Sequence, residues 1–194
     1  VSAVISDMDQ PLGFAVGNIL EVIEAINTLR GNGPEDFTEV CLILATNMIY
    51  LAGKGTMEEC EAMVKKAIAD GSALDTLAKM VKAQHGDERV IYDTELFPKA
   101  QFSREVKADK SGYIVRVDTE GYGIASLLLG AGRNTKEESI DYSAGITLVK
   151  KTGDKVEKGD VANINYVGKK DGVAFQGGRQ KYSGVVSDVY LPTA

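Results

Sequence analysis

Between residues 7 and 25 the chain is forced to turn and then to begin a helix. In Asp7-Met8-Asp9-Gln10-Pro11-Leu12-Gly13, Pro11 fixes its own φ and pushes Gln10 toward an extended conformation, while Gly13 permits a turn that a larger side chain would obstruct. Gly17-Asn18 follows, then Glu21-Val22 and Glu24-Ala25, which sets Glu21 and Glu24 at i, i+3 on one side of an amphipathic helix. The expected order is a strand, a tight loop and a helix. Residues 2–6 read as a buried strand, and residues 14–30 as the helix, with Val16, Ile19, Leu20, Ile23, Ile26 and Leu29 along one broad face.

Three more helices are expected before residue 87. Gly31-Asn32-Gly33-Pro34 stops the first, and Pro34 with Glu35 and Asp36 opens the next, where acids suit the helix dipole. It runs through Cys41, Leu44, Met48 and Leu51 to Gly53-Lys54-Gly55. Thr56-Met57-Glu58-Glu59 matches a capping box for a third helix ending near Gly71, and Ser72 with Asp75 repeats a start signal for a fourth ending about Gly86. One strand followed by four helices reads as the tail of a larger α/β unit.

The character changes after Gly86, and a domain boundary is expected between His85 and Leu96. Residues 102–118 alternate like strands, with Ser111-Gly112 as a turn before Tyr113-Ile114-Val115-Arg116-Val117. Thr119 to Leu129 can form a short helix that Gly130-Ala131-Gly132 breaks, and strands return at Ile146–Val149 and from Val161 onward. Between them, Gly153-Asp154 and Gly159-Asp160 form paired turns that resemble those of biotinyl and lipoyl barrel-sandwich domains.

Composition narrows the function classes. A chain of 194 residues can bury a sizeable core as one or two domains, and no apolar run reaches the ~18 residues a membrane span needs. The net charge of -6 lies in the helical half: residues 1–87 carry 13 acids and 6 bases, residues 88–194 carry 15 and 16. Neither half offers a basic stripe with interleaved aromatics, so nucleic acid is not an expected partner, nor is a membrane. The acidic total leaves a phosphate ligand open, since a few local donors can hold an anion. The start at Val1, without a basic-then-apolar leader, and the two cysteines, Cys41 and Cys60, without C-x-x-C spacing, give the expectation of a cytoplasmic protein with reduced thiols.

The run Met8-Asp9-Gln10-Pro11-Leu12-Gly13-x-Ala15-x-Gly17-Asn18-x-x-Glu21-Val22-x-Glu24-Ala25-Ile26 resembles the pyrimidine nucleoside phosphorylases, relatives of the thymidine phosphorylases, at a point about midway through that family's chain. The likeness continues through Gly33-Pro34-Glu35-Asp36-Phe37-Thr38-Glu39, Asp93-Thr94-Glu95-Leu96-Phe97-Pro98-Lys99-Ala100, Gly130-Ala131-Gly132-Arg133 and Asp141-Tyr142-Ser143-Ala144-Gly145, to about residue 162. The resemblance implies an α/β fragment over residues 1–86 and an α+β, barrel-sandwich-like (hammerhead) C-terminal domain over 87–162. Residues 163–194 form a divergent tail. Its Asn163-Ile164-Asn165-Tyr166-Val167-Gly168-Lys169-Lys170-Asp171-Gly172-Val173-Ala174-Phe175 looks instead like the opening strands of an FKBP-type prolyl isomerase, as in trigger factor. A fusion, a shifted reading frame and chance likeness each account for that change.

By the same resemblance, the carbonyls of Leu12 and Ala15 and the carboxylate of Glu24 are similar to ligands of a monovalent cation, usually potassium. Read alone, Glu24 is better explained as a solvated helix acid; the resemblance reverses that. The family's remaining ligands lie N-terminal to this stretch, so a half-built site is expected. Arg133 sits in a polar stretch, Arg133 to Glu138, flanked by glycines, which the resemblance makes a closure loop over the active cleft; a plain surface loop is the alternative. His85 is the one histidine, at a helix end where relatives more often have Gly, and reads as a cap. Asp7 and Asp9 read as loop caps; after Asp160 no lysine is presented on a methionine-flanked hairpin as a lipoyl carrier would need, and Lys110 lies before the Gly-Asp turns, in the wrong order for that arrangement. No catalytic and no cofactor-binding residue is assigned within the chain. The resemblance implies the C-terminal part of a homodimeric pentosyltransferase that splits uridine or thymidine with phosphate, inactive as this piece alone. A non-enzymatic assembly module is the rival, and an uncovered apolar face on the first strand and helices would favour the enzyme part.

Overall fold

The computed structural model describes residues 1–167, 169–170, 173–174 and 187–190. The chain divides into two compact units, Val1–Ser6 with Val22–Phe97 and Asp7–Glu21 with Pro98–Ala194. The helix α1, Asn18–Leu29, begins in the second unit and continues into the first.

The first unit is otherwise built from α2 (Glu35–Leu51), α3 (Met57–Ala69), α4 (Ser72–Ala83) and the short α5 (Arg89–Tyr92). Local signals place most of these ends. Pro34 caps α2 with Glu35 and Asp36 in the first turn. The capping box before α3 is complete: Thr56 Oγ1 accepts from Glu59 N at 3.3 Å, and Glu59 Oε2 accepts from Thr56 N at 2.8 Å. The start of α4 differs from expectation. Gly71, at φ +78, occupies the cap, and Ser72 is already helical, its N–H donating to Asp70 Oδ1 at 3.0 Å. Ile26, Ala78 and Ile91 form the buried core, ringed by Leu74, Leu77, Val81, Val90 and Phe97. Arg30 Nη2 donates to the carbonyls of Ile91 (3.0 Å) and Tyr92 (2.8 Å), which fixes α5 on that core.

Two expectations fail here. Residues 2–6 are exposed and form no strand, because no strand among the described residues pairs with them and an unpaired extended segment gains no ladder. Phe14 to Val16 do not begin α1: Phe14 lies in a bend and Ala15–Val16 is a strand, as described below. Uncovered apolar surface is plain within this unit: Ile5 is 99% exposed, and on α2 the stripe Leu44, Met48 (66%) and Leu51 (55%) faces outward beside Ile43.

The second unit is α+β. Its elements are β1 (Ala15–Val16), β2 (Phe102–Lys107), β3 (Gly112–Val117), α6 (Thr119–Ser126), β4 (Gly145–Leu148), β5 (Lys155–Val156), β6 (Val161–Val167), β7 (Lys169–Lys170), β8 (Val173–Ala174) and β9 (Ser187–Tyr190). One antiparallel sheet has the order β1-β4-β6-β2, a second β5-β3-β9, and β7 and β8 form a small pair. The strands on either side of Ser111-Gly112 thus belong to different sheets, although their alternation is continuous in the sequence. Asp118 caps α6 by accepting from Gly121 N at 3.0 Å, and the helix ends in a wider turn over Leu127–Ala131, where Gly130 sits at φ +110. Ile114, Val117, Tyr122, Leu129, Ile146, Leu148 and Val156 form the core, with Phe14 and Val16 packed against it. The remainder of the tail read as FKBP-like lies outside the described residues.

The two Gly-Asp turns have the same construction. Asp154 Oδ2 accepts from Lys151 N at 2.8 Å and Asp160 Oδ2 from Glu157 N at 3.0 Å, with Gly153 and Gly159 at φ +93 and +97. Gly153 N donates to Ile114 O and Ile114 N to Asp154 O; Gly159 N donates to Ala108 O and Ala108 N to Asp160 O. Each turn closes reciprocally on one residue, Ile114 within β3 or Ala108 just after β2.

Candidate functional site

The Gln10–Val16 segment is shaped by residues far away in sequence. Gly13 takes φ +70, Pro11 is buried and Leu12 is exposed. Lys151 reaches in from the first Gly-Asp turn: its Nζ donates to Pro11 O at 3.0 Å and lies 4.9 Å from the centre of the Phe14 ring. The side chain is 9% exposed, so the ammonium has given up most of its water for a carbonyl and an aromatic face. Thr152 N donates to Gln10 Oε1 at 3.1 Å. The loop is therefore held at both its glutamine and its proline.

Beyond it, Leu148 N donates to Phe14 O at 2.7 Å. Successive carbonyls alternate along a strand, so the Ala15 carbonyl is directed away from β4, on the side where β1 is the last strand of its sheet. Glu24 lies on α1, half-buried, with its backbone carbonyl accepting from Thr28 Oγ1 at 2.9 Å.

The start of α1 is tied to the Gly130–Gly145 segment. Gly17 N donates to Glu21 Oε1 at 2.9 Å, Ser126 Oγ donates to Val16 O at 3.1 Å, and Asn18 Nδ2 donates to Ala131 O at 2.7 Å. Ile19 N donates to Tyr142 O at 3.1 Å. Arg133 is exposed, and its Nη1 donates to Lys136 O at 3.4 Å. Asp141 Oδ1 accepts from both the N–H (2.9 Å) and the Oγ (2.6 Å) of Ser143, which organises the turn into β4.

The other candidates have plain structural work. Asp7 Oδ1 accepts from Asp9 N at 2.7 Å, a local turn cap. His85 is exposed at φ +63, just past α4, with His85 N donating to Lys82 O and Gly86 N to Val81 O. This is a Schellman end whose left-handed position favours glycine. His85→Gly is accordingly expected to stabilise the first unit by about 1 kcal/mol, the strain of a left-handed L-residue less the added freedom of the unfolded chain, read from its thermal midpoint. Lys110 is exposed beside Ser111, whose Oγ accepts from Lys158 N at 2.9 Å.

Sequence reasoning gives no role to Lys151 or Asn18. Lys151 reads as one charge among many at a turn, and only the distant Pro11 and Phe14 make it structural. Asn18 stands inside the quoted motif, and that position at a helix start was the available signal.

Similarity to known proteins agrees with the motif. A family model described as the pyrimidine nucleoside phosphorylase C-terminal domain matches residues 113–176, which carries the likeness past residue 162 and through the segment that resembles FKBP-type isomerases. The chain is 50% identical over 159 residues to a pyrimidine-nucleoside phosphorylase of Geobacillus stearothermophilus, covering 81% of this chain and 37% of that protein. It is 52% identical over 159 residues to the pyrimidine-nucleoside phosphorylase of Staphylococcus aureus (strain USA300), with the same coverage. The chain thus spans about 37% of the length of these curated relatives. These matches make the chain similar to the C-terminal domain of the pyrimidine nucleoside phosphorylases over residues 113–176, and to a part of two curated pyrimidine-nucleoside phosphorylases over 159 residues.

Proposed function

We propose that this chain is the C-terminal part of a cytoplasmic, homodimeric pentosyltransferase that reversibly cleaves uridine and thymidine with phosphate, giving free base and ribose or deoxyribose 1-phosphate. The observation that carries the reading is the 50% identity maintained over 159 residues. The uncovered apolar stripe of α2 and the exposed residues 1–5 support it, since a self-sufficient assembly module would present polar residues there. Phosphorolysis needs a positioned phosphate and electrostatic support for an oxocarbenium-like sugar. In this reading, those groups come from the part of the relatives that the chain does not span, and the piece alone is inactive.

Leu12 and Ala15, through their carbonyls, and Glu24, through its carboxylate, contribute to a potassium site that supplies a fixed positive charge and braces the loop. Arg133 serves the closure loop, approaching phosphate or a facing backbone. The second unit is a barrel-sandwich-like domain, a reading supported by its two matched Gly-Asp turns. Incubation of the chain with uridine or thymidine and phosphate is expected to release no free base above background under conditions where an intact relative turns over. Release at the intact relative's rate overturns the proposal.

A further inference from the structure

The loop from Ala131 to Tyr142 is bonded within itself and gripped at its feet. Inside it, Asn134 N donates to Glu138 Oε2 at 2.8 Å, Glu138 N to Thr135 O at 3.4 Å, and Arg133 Nη1 to Lys136 O at 3.4 Å. These bonds make the stretch a small body of its own, not a slack tether. Asp141 N donates to Gly130 O at 2.9 Å and draws its two ends together. The hold on α1 comes from two consecutive residues: Asn18 Nδ2 on Ala131 O at one foot, and Ile19 N on Tyr142 O at the other. Leu128 and the loop residues Asn134, Glu138, Ile140 and Tyr142 are among those lining a cavity of about 400 Å³. Gly130, which also lines it, sits at φ +110. An internally bonded loop joined at two feet has a bearing set by those feet.

We propose that Asn18 is the positioning residue of this loop: its side-chain amide fixes the Ala131 foot, so that the bearing of Arg133 is set from the first turn of α1. The consequence for substrate rests on the closure-loop reading above, whereas the anchoring does not. Ile19 contributes only its backbone N–H, which any residue but proline supplies. Asn18 contributes a side-chain donor, which makes it the part of the grip that a substitution can remove.

Asn18→Asp separates the two roles open to this side chain. An acid in the first turn suits the helix dipole, so α1 is kept, but a carboxylate cannot donate to Ala131 O. Amide hydrogen exchange of the full chain, followed by mass spectrometry, reads both. The expected result is roughly tenfold faster exchange over residues 131–142 in Asn18→Asp, with residues 22–29 and the β2–β6 ladder unchanged. Asn18→Gln, which keeps a donor on a longer arm, is expected to recover part of the protection. Unchanged exchange in the loop, or a rise spread evenly over the second unit, overturns the proposal. Should the uridine assay contradict the phosphorolysis reading, the exchange result still decides Asn18; should that reading stand while loop exchange stays put, this inference alone falls.

Discussion

Gly17→Ala is expected to destabilise the second unit by about 3 kcal/mol, the combined cost of a strained backbone and a forced main-chain shift. Gly17 and Gly145 continue the β1–β4 register beyond Val16↔Ile146 and face each other across the pair. A Cβ on Gly17 would lie 2.6 Å from Ala144 O and 2.8 Å from the Cα of Gly145, both main-chain atoms that cannot rotate away. Gly17 also holds φ +146, which an L-residue rarely adopts. The same crowding exists from the other side, where a Cβ on Gly145 would meet Val16 O at 2.5 Å. Calorimetry should show the midpoint of the second unit falling by about 10 °C or more. Gly123→Ala is the control: it lies in α6 with nothing within 4 Å, and a helical alanine there should be neutral or slightly stabilising. Equal midpoints for Gly17→Ala and wild type would show that β1 does not approach β4 this closely.

Lys151→Met should cost about 2 kcal/mol, because methionine keeps the apolar stem and deletes a charged donor to a buried carbonyl. Two opposing effects meet at this position. Burying an ammonium is unfavourable, and its removal alone would stabilise. Against that stand the 3.0 Å bond to Pro11 O and the Phe14 ring face, which is worth more when water is excluded. The bond is expected to win because Pro11 is itself buried and its carbonyl gains no solvent partner from methionine. Urea denaturation measures the sign. Faster hydrogen exchange at residues 12–16 should accompany the loss, and a variant as stable as wild type would mean that the lysine is tolerated there, not required.

What the sequence disclosed follows the range of the interactions involved. Thr56 with Glu59 and Pro34 with Glu35 and Asp36 act across a few residues, and the helix starts they predict are where the structure has them. Phe14-Ala15-Val16 shows the limit. Its apolar spacing suits a helix, yet Ala15–Val16 is a strand because β4, well over a hundred residues later, offers a ladder. Residues 2–6 err in the opposite direction: their composition suits a strand, but a strand needs a neighbour. The alternation across 102–118 gave both strands but not their separation into two sheets, since pairing with β6, β5 and β9 is long-range. At the candidate site, the turn at Pro11 and Gly13 was readable, whereas the lysine that braces it was not.

The second unit is discontinuous in sequence: Asp7–Glu21 belongs with Pro98–Ala194, and the whole helical block intervenes. A polypeptide trimmed to begin at Pro98 would keep every strand of the main sheet except the outermost, stripping β4 of its cover. The bared margin would offer unmatched amide and carbonyl groups to any extended chain nearby, an invitation to intermolecular zippering. Ribosomal synthesis meets the same constraint in time, because the first strand of that sheet must wait for its neighbour until the helices have emerged.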